Sequence, residues 1–310
     1  MTALTGPGIT PVRARRHQLT LTGVRPIRVV LGMLWILDGL LQLQPFMFTR
    51  GFADQVIAAA GEGQPWFVAG PVDWSVHLIG AHPVFWDSIF AAVQLAIGAL
   101  ILAPRTVRFG LAASMTWGLG IWWFGEGLGG IASGHTDMLT GSPGAALLYV
   151  VLSAAVWPTR PMGNNRGRDQ SGTVATWLPI AWAALWFGSA LLQLLPGQNA
   201  ASDLADELSG AAETGPFWMT AIDRGLGAAV HHTGPSAVAL LVAAEVLIGL
   251  NGLAGGPLRR MSATAGIGLA IACWLTCQAC GDLTSGQATD PGTAPLILLM
   301  ALAMLCEPSD

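Results

Sequence analysis

Lysine is absent from this sequence: all 14 basic residues are Arg, set against 18 Asp and Glu in a chain of 310 residues. Charge of either sign is scarce, at 10%, where soluble domains average about 25%. That shortage excludes a chain whose whole surface faces water. The net charge of −4, with no basic stripe interleaved with aromatics, excludes a nucleic-acid binder. Cys is present only 4 times, with three of the four close together, which is no disulfide framework. Also missing are a Ser-His-Asp arrangement, an H-E-x-x-H pair and a Walker pattern. No reaction is legible, and a non-catalytic role is the expectation. No small-residue cleavage site follows the first apolar run, which reads as a retained helix rather than a secretory signal.

What the chain has instead is apolar length. Hydrophobic residues make up 53% of it. Apolar stretches near 27–48, 84–103, 109–124, 144–158, 174–195, 235–254, 262–281 and 294–306 approach the roughly 20 residues that cross a bilayer. A backbone inside hydrocarbon must satisfy its own hydrogen bonds, so these are expected to be helices. The expectation is an all-α polytopic membrane protein of about eight transmembrane helices in the lipid bilayer. The Arg residues set its orientation. With a cytoplasmic N-terminus, Arg13, Arg15, Arg16, Arg25, Arg28, Arg105, Arg108, Arg160, Arg166, Arg168, Arg259 and Arg260 fall inside, and only Arg50 and Arg224 outside. Both termini are then cytoplasmic. The all-Arg, Gly-rich composition suggests a high-GC bacterial genome, hence a bacterial plasma membrane.

The sequence repeats at a spacing of about 151 residues. Leu34-Trp35 and the Leu-Leu-Gln42-Leu-Gln-Pro45 run return as Leu185-Trp186 and Leu-Leu-Gln193-Leu-Leu-Pro196. Asp73 aligns with Asp223, Gln94 with Glu245, Trp123 with Trp274, and Glu126 with Cys277. The expected organisation is a cytoplasmic tail over 1–24, a first four-helix repeat over 25–158, a linker over 159–173, and a second repeat over 174–310. Four helices per half is an even number, so the two repeats are parallel. The external segments 49–83 and 196–233 are expected to form short interfacial helices, with Trp66, Trp74, Trp86 and Trp218 in the headgroup belt.

The first helix reads Arg28-Val-Val-Leu-Gly32 and then Asp38-Gly39-Leu-Leu-Gln42-Leu43. An Arg entering the membrane, a Gly one turn on and a second Gly before a Leu-rich end resemble the DoxX-like family. The second half departs from this, with no Arg and only Gly188 between Ala181 and Leu194. The resemblance implies four-helix units and an accessory role beside respiratory, sulfur-oxidising or redox-maturation machinery.

Three sets of residues are candidates for chemistry. Asp38 and Glu245 fall at mid-membrane, where an ionisable group costs roughly 2.5–3.5 kcal/mol and marks a functional candidate. Their repeat partners are Ser189 and Gln94, and Gln42 and Gln193 follow one turn after Asp38 and Ser189. With Glu126, this set reads either as a proton path or polar pocket for a quinone-like or other small ligand, or as protonated acids gluing helices together. Cys273, Cys277 and Cys280, at i, i+4 and i+7, would form one stripe on a helix, suited to Cu(I) or thiol redox work, or to plain packing. His82, His231 and His232 lie near helix ends with Asp73 and Asp223 upstream, a set that would hold zinc or copper or simply bond loop carbonyls. The leading expectation is an accessory membrane subunit for redox or metal handling, partnered with another membrane or extracytoplasmic redox protein. The alternatives are a proton-coupled transporter using the mid-membrane acids, and a structural docking subunit.

Overall fold

The computed structural model describes residues 23–134, 136–158, 174–196, 198–214 and 217–306, without the side chains of 207, 209–214, 217 and 218. The linker, nearly all of the N-terminal tail, and the Trp218 side chain lie outside that set. Every regular element described is helical, and the chain is all-α. The α-helices are α1 (Val24–Leu41), α2 (Trp66–Ala81), α3 (Pro83–Leu102), α4 (Val107–Phe124), α5 (Ala145–Ala155), α6 (Leu178–Leu192), α7 (Ala201–Thr214), α8 (Phe217–Thr233), α9 (Pro235–Leu253), α10 (Gly256–Thr276) and α11 (Ala294–Leu305). Short 3₁₀ and π turns fill Pro45–Gly61 and Gly127–Ser133.

Proline sets many of the boundaries. Pro83 and Pro235 open α3 and α9, where a missing N–H costs nothing. α1 ends at Leu41, short of the expected 48, and Pro45 then opens a separate 3₁₀ turn. α3 and α9 are long and apolar enough to cross a membrane, and α5, α6 and α11 are shorter apolar helices.

The same contacts recur in both halves. α1 packs on α3 and α6 on α9; α3 meets α4 as α9 meets α10; α4 meets α5 as α10 meets α11. α1 and α3 approach backbone to backbone. A Cβ on Gly98 would sit 2.6 Å from the Gly32 carbonyl oxygen, and one on Gly39 would sit 2.9 Å from the Leu95 nitrogen. α11 packs on α1, α5 and α6, joining the halves in one apolar core.

The connection after α4 and the one after α10 are built alike. Trp122 Nε1 donates to the Pro143 carbonyl at 2.8 Å, and Trp274 Nε1 to the Pro291 carbonyl at 2.7 Å. Both helices end in a left-handed run of four residues, 127–130 and 279–282, all at positive φ. The structural register here is therefore 152 residues, not 151. Trp122, not Trp123, is the counterpart of Trp274, and Glu126 corresponds to Gln278 rather than to Cys277.

The connections then cross between halves. Gln278 Nε2 donates to the Met138 carbonyl at 3.0 Å, and Gln44 Nε2 to the Ala288 carbonyl at 2.9 Å. Each half's last connection thus reaches over the other half, at the loop-rich end of the bundle.

Candidate functional site

A cavity of about 380 Å³ lies in the first half, at the loop-rich end of the bundle. Its wall comes from α1, the π turn, α2, α3, α4 and α5. The period of α1 explains how Trp35, Asp38 and Gln42 share that wall, since they stand three and four residues apart on one face. Gln94 enters from α3 and Glu126 from the end of α4. The structure therefore brings together the four first-half candidates Asp38, Gln42, Gln94 and Glu126.

It adds three groups that sequence reasoning missed. Tyr149, the only Tyr in the chain, faces Asp38 from α5. Asp290 arrives from the second half, on the crossing connection, and lies near enough to Asp38 and Glu126 for direct electrostatic interaction. Asp87, fully buried on α3, accepts a short hydrogen bond from Gln42 Nε2. Only the tight spacing of Asp87 and Gln94 on α3 hinted at the last of these; nothing local in the sequence marks Asp290.

Several polar atoms at the cavity are buried without a partner. They include Asp38 Oδ1, Gln94 Oε1 and Trp117 Nε1, while the Tyr149 hydroxyl interacts with the Asp38 carboxyl. Buried polar groups in folded proteins are nearly always paired, so this concentration is a signal in itself. Aromatic rings supply most of the rest of the wall. Phe90 lies 5.7 Å from Trp117 and 6.3 Å from Trp86, and Trp35 lies 4.3 Å from Tyr149, centroid to centroid.

A second, more open cleft of about 640 Å³ lies between the two halves. Val56, Glu126, Ala145, Thr289 and Asp290 line both spaces and form the wall they share. Glu126 accepts the Ala146 backbone N–H at 3.0 Å and so caps α5, a favourable place for an acidic oxygen. Burial, and secondarily Asp290, push its carboxyl up to about 8. Burial also raises Asp290, against hydrogen bonds from Gly292 and Thr289 that lower it.

Among the described residues, the second half has no matching arrangement of these groups. Ser189 Oγ donates to Glu245 Oε1 at 2.6 Å, which satisfies one oxygen of that acid. Gln193 Nε2 donates to the Gln198 carbonyl at 2.8 Å. Positions equivalent to the cavity wall are packed instead. Leu208, Leu241, Leu269 and Cys273 stand where the first half has Ile57, Phe90, Trp117 and Ile121, and Leu139 of the first half fills the cluster. Asp137 crosses with Leu139 and lies near Glu245. Its Oδ1 accepts the N–H groups of Leu139 and Thr140.

The Cys stripe is not a stripe. α10 ends at Thr276, Cys277 caps it, and Cys280 sits in the left-handed run with φ 58°. The left-handed turn, which Gly281 brings against the Pro291 carbonyl, stops the helix before the third thiol. Burial raises the Cys280 thiol, the opposite of an activated thiolate. His82 lies exposed between α2 and α3, and His231 and His232 lie exposed in the last turn of α8. Asp73 is exposed while its counterpart Asp223 is fully buried, so these two do not share an environment. Among the described residues, no three His, Cys, Asp or Glu side chains are grouped to hold a metal ion. Copper or zinc, expected from these residues, has no such donor set there.

No family model, curated protein or solved structure matches the chain.

Proposed function

We propose that this is a polytopic membrane protein whose first half takes a small organic ligand from the outer side into the cavity beneath Glu126 and Asp290. Its eight spanning helices are α1, α3, α4, α5, α6, α9, α10 and α11, with α2, α7 and α8 at the outer interface. The observation that carries the ligand reading is the cavity itself: an aromatic chamber with unpartnered polar atoms and a rim of carboxyl groups. Ligand sites have this constitution, mostly apolar walls with a few convergent polar groups.

The membrane reading is supported by where apolar residues point. Only 33% of the apolar window of α3 and 28% of that of α9 is buried, whereas a core helix of a water-soluble protein would be mostly buried. Phe109, Ile180, Leu191, Leu240, Leu247 and Met261 all point outward, on four different helices. The Arg distribution supports an orientation with the loop-rich end outside and both termini in the cytoplasm.

The accessory redox role that a DoxX-like resemblance implies rests on different residues. Arg28 Nε donates to the Val156 carbonyl at 2.9 Å, and Gly32 and Gly39 allow α1 to meet α3. These are packing roles, and neither the Cys nor the His candidates converge on the cavity. A quinone remains the natural redox-active ligand for such a chamber.

The test uses a Cys-free background with Thr289→Cys at the shared wall and Gln94→Cys in the cavity. A small thiol-reactive ammonium reagent applied to intact cells is expected to modify both. Failure to reach Gln94→Cys, with Thr289→Cys labelled, would remove the ligand reading. Labelling of Thr289→Cys from the cytoplasmic side only would reverse the orientation.

A further inference from the structure

The cavity has a polarity that narrows its ligand. Three carboxyl groups line it, Asp38, Glu126 and Asp290, and no Arg or His is among its lining residues. Asp38 is 2% exposed and Gln94 6%, and Asp38 Oδ1 and Gln94 Oε1 are acceptors without a donor. An anionic ligand would meet three acids and no cation. A cation adds charge attraction toward these acids, and the rings of Trp and Phe attract a cation through their quadrupoles. Four Trp line the chamber, at positions 35, 74, 86 and 117, and Phe90 bridges the last two.

The second half supplies an internal comparison. There Ser189 donates to Glu245 Oε1, while Glu245 Oε2 lacks a partner as Asp38 Oδ1 does. The position of Trp117 is taken by Leu269 and that of Trp86 by Ala237. The second half therefore keeps an unpartnered carboxyl oxygen but loses these two rings.

We infer that the ligand of the first-half cavity is a small organic monocation, a quaternary or protonated amine carrying an apolar group, held by the aromatic wall with its charge toward Asp38 and Asp290. This rests on the ligand-cavity reading above. The apolar group occupies the space among Trp86, Phe90 and Trp117.

The test is calorimetric titration of the full chain in mild detergent with three probes: benzyltrimethylammonium, its neutral carbon isostere neopentylbenzene, and duroquinone. The cation is expected to bind at least about tenfold more tightly than the isostere. Asp38→Asn and Asp290→Asn are each expected to remove most of that preference while leaving the affinity for neopentylbenzene unchanged. Asp290→Asn sits in a connection outside the helices, so it guards against a folding defect in Asp38→Asn. Equal binding of cation and isostere, or binding of duroquinone alone, would overturn the cation inference and leave the cavity reading standing. Binding of none of the three would overturn both.

Discussion

Glu126 is the residue on which the two halves can be compared most directly. Its counterpart Gln278 holds the same place at the start of α11, where Oε1 accepts from the Thr293 hydroxyl at 3.3 Å. Glu126→Gln is therefore an exchange the fold already makes elsewhere, and insertion and folding are expected to survive it. Its effect belongs to pH. The carboxyl rises from an ordinary 4.5 to about 8, with Asp290, Asp38 and Tyr149 as its charged or titratable neighbours. A raised acid holds its proton in the folded chain after the unfolded chain has lost it. Its contribution to stability is complete below 4.5 and is lost as pH rises toward 8. Thermal unfolding in detergent is expected to show a midpoint that falls across that window, and Glu126→Gln is expected to flatten the fall. An unchanged slope in the variant would mean another group titrates there. Sequence reasoning placed Glu126 among the polar-pocket candidates. It missed Asp290, whose neighbours in sequence are loop residues and whose neighbours in space belong to the other half.

At the scale of elements, the connections after α4 and α10 make the sharpest prediction. Gly129 and Gly281 sit at φ 63° and 69°, and a Cβ would come within 2.0 Å of the Pro143 oxygen and 2.5 Å of the Pro291 oxygen. Gly129→Ala and Gly281→Ala are each expected to destabilise by about 1–3 kcal/mol, measured as a lowered unfolding midpoint. Trp122→Phe and Trp274→Phe lose one indole hydrogen bond each and are expected to cost about 1 kcal/mol apiece. Matching costs in the two halves would establish that the motif is one device used twice. The apolar runs made the apolar helices legible, because their composition and their flanking Pro residues are local signals. The end of α10 was not legible. Cys273, Cys277 and Cys280 have a helical spacing, but spacing says nothing of the left-handed turn that takes Cys280 out of the helix. The shift from 151 to 152 was hidden for a related reason: two adjacent Trp, Trp122 and Trp123, offer equal matches to Trp274 in sequence, and only the bond to Pro291 distinguishes them.

Over the whole molecule, the same helix contacts recur in two halves whose described interiors differ. The first keeps a chamber; the second fills it with Leu208, Leu241, Leu269, Cys273 and the visiting Leu139. The repeat itself was legible, since the Leu-Leu-Gln runs ending at Pro45 and Pro196 survive in both halves. The exchange of Asp290 and Asp137 between halves was not, because contacts between distant loops leave no periodic trace. The filling was half legible: Gln94 against Glu245 and Asp38 against Ser189 announced a difference, but not which side was open. The account's central claim is this asymmetry, and paired overfilling tests it most directly. Ile121→Trp places a large ring at the wall of an existing space, whereas Cys273→Trp forces the same ring into a packed cluster, where overpacking costs about 1–3 kcal/mol or more. With unfolding midpoints measured in one detergent, Ile121→Trp is expected to stay close to the parent and Cys273→Trp to fall clearly below it. Equal losses in the two variants, or a larger loss for Ile121→Trp, would contradict an open first half.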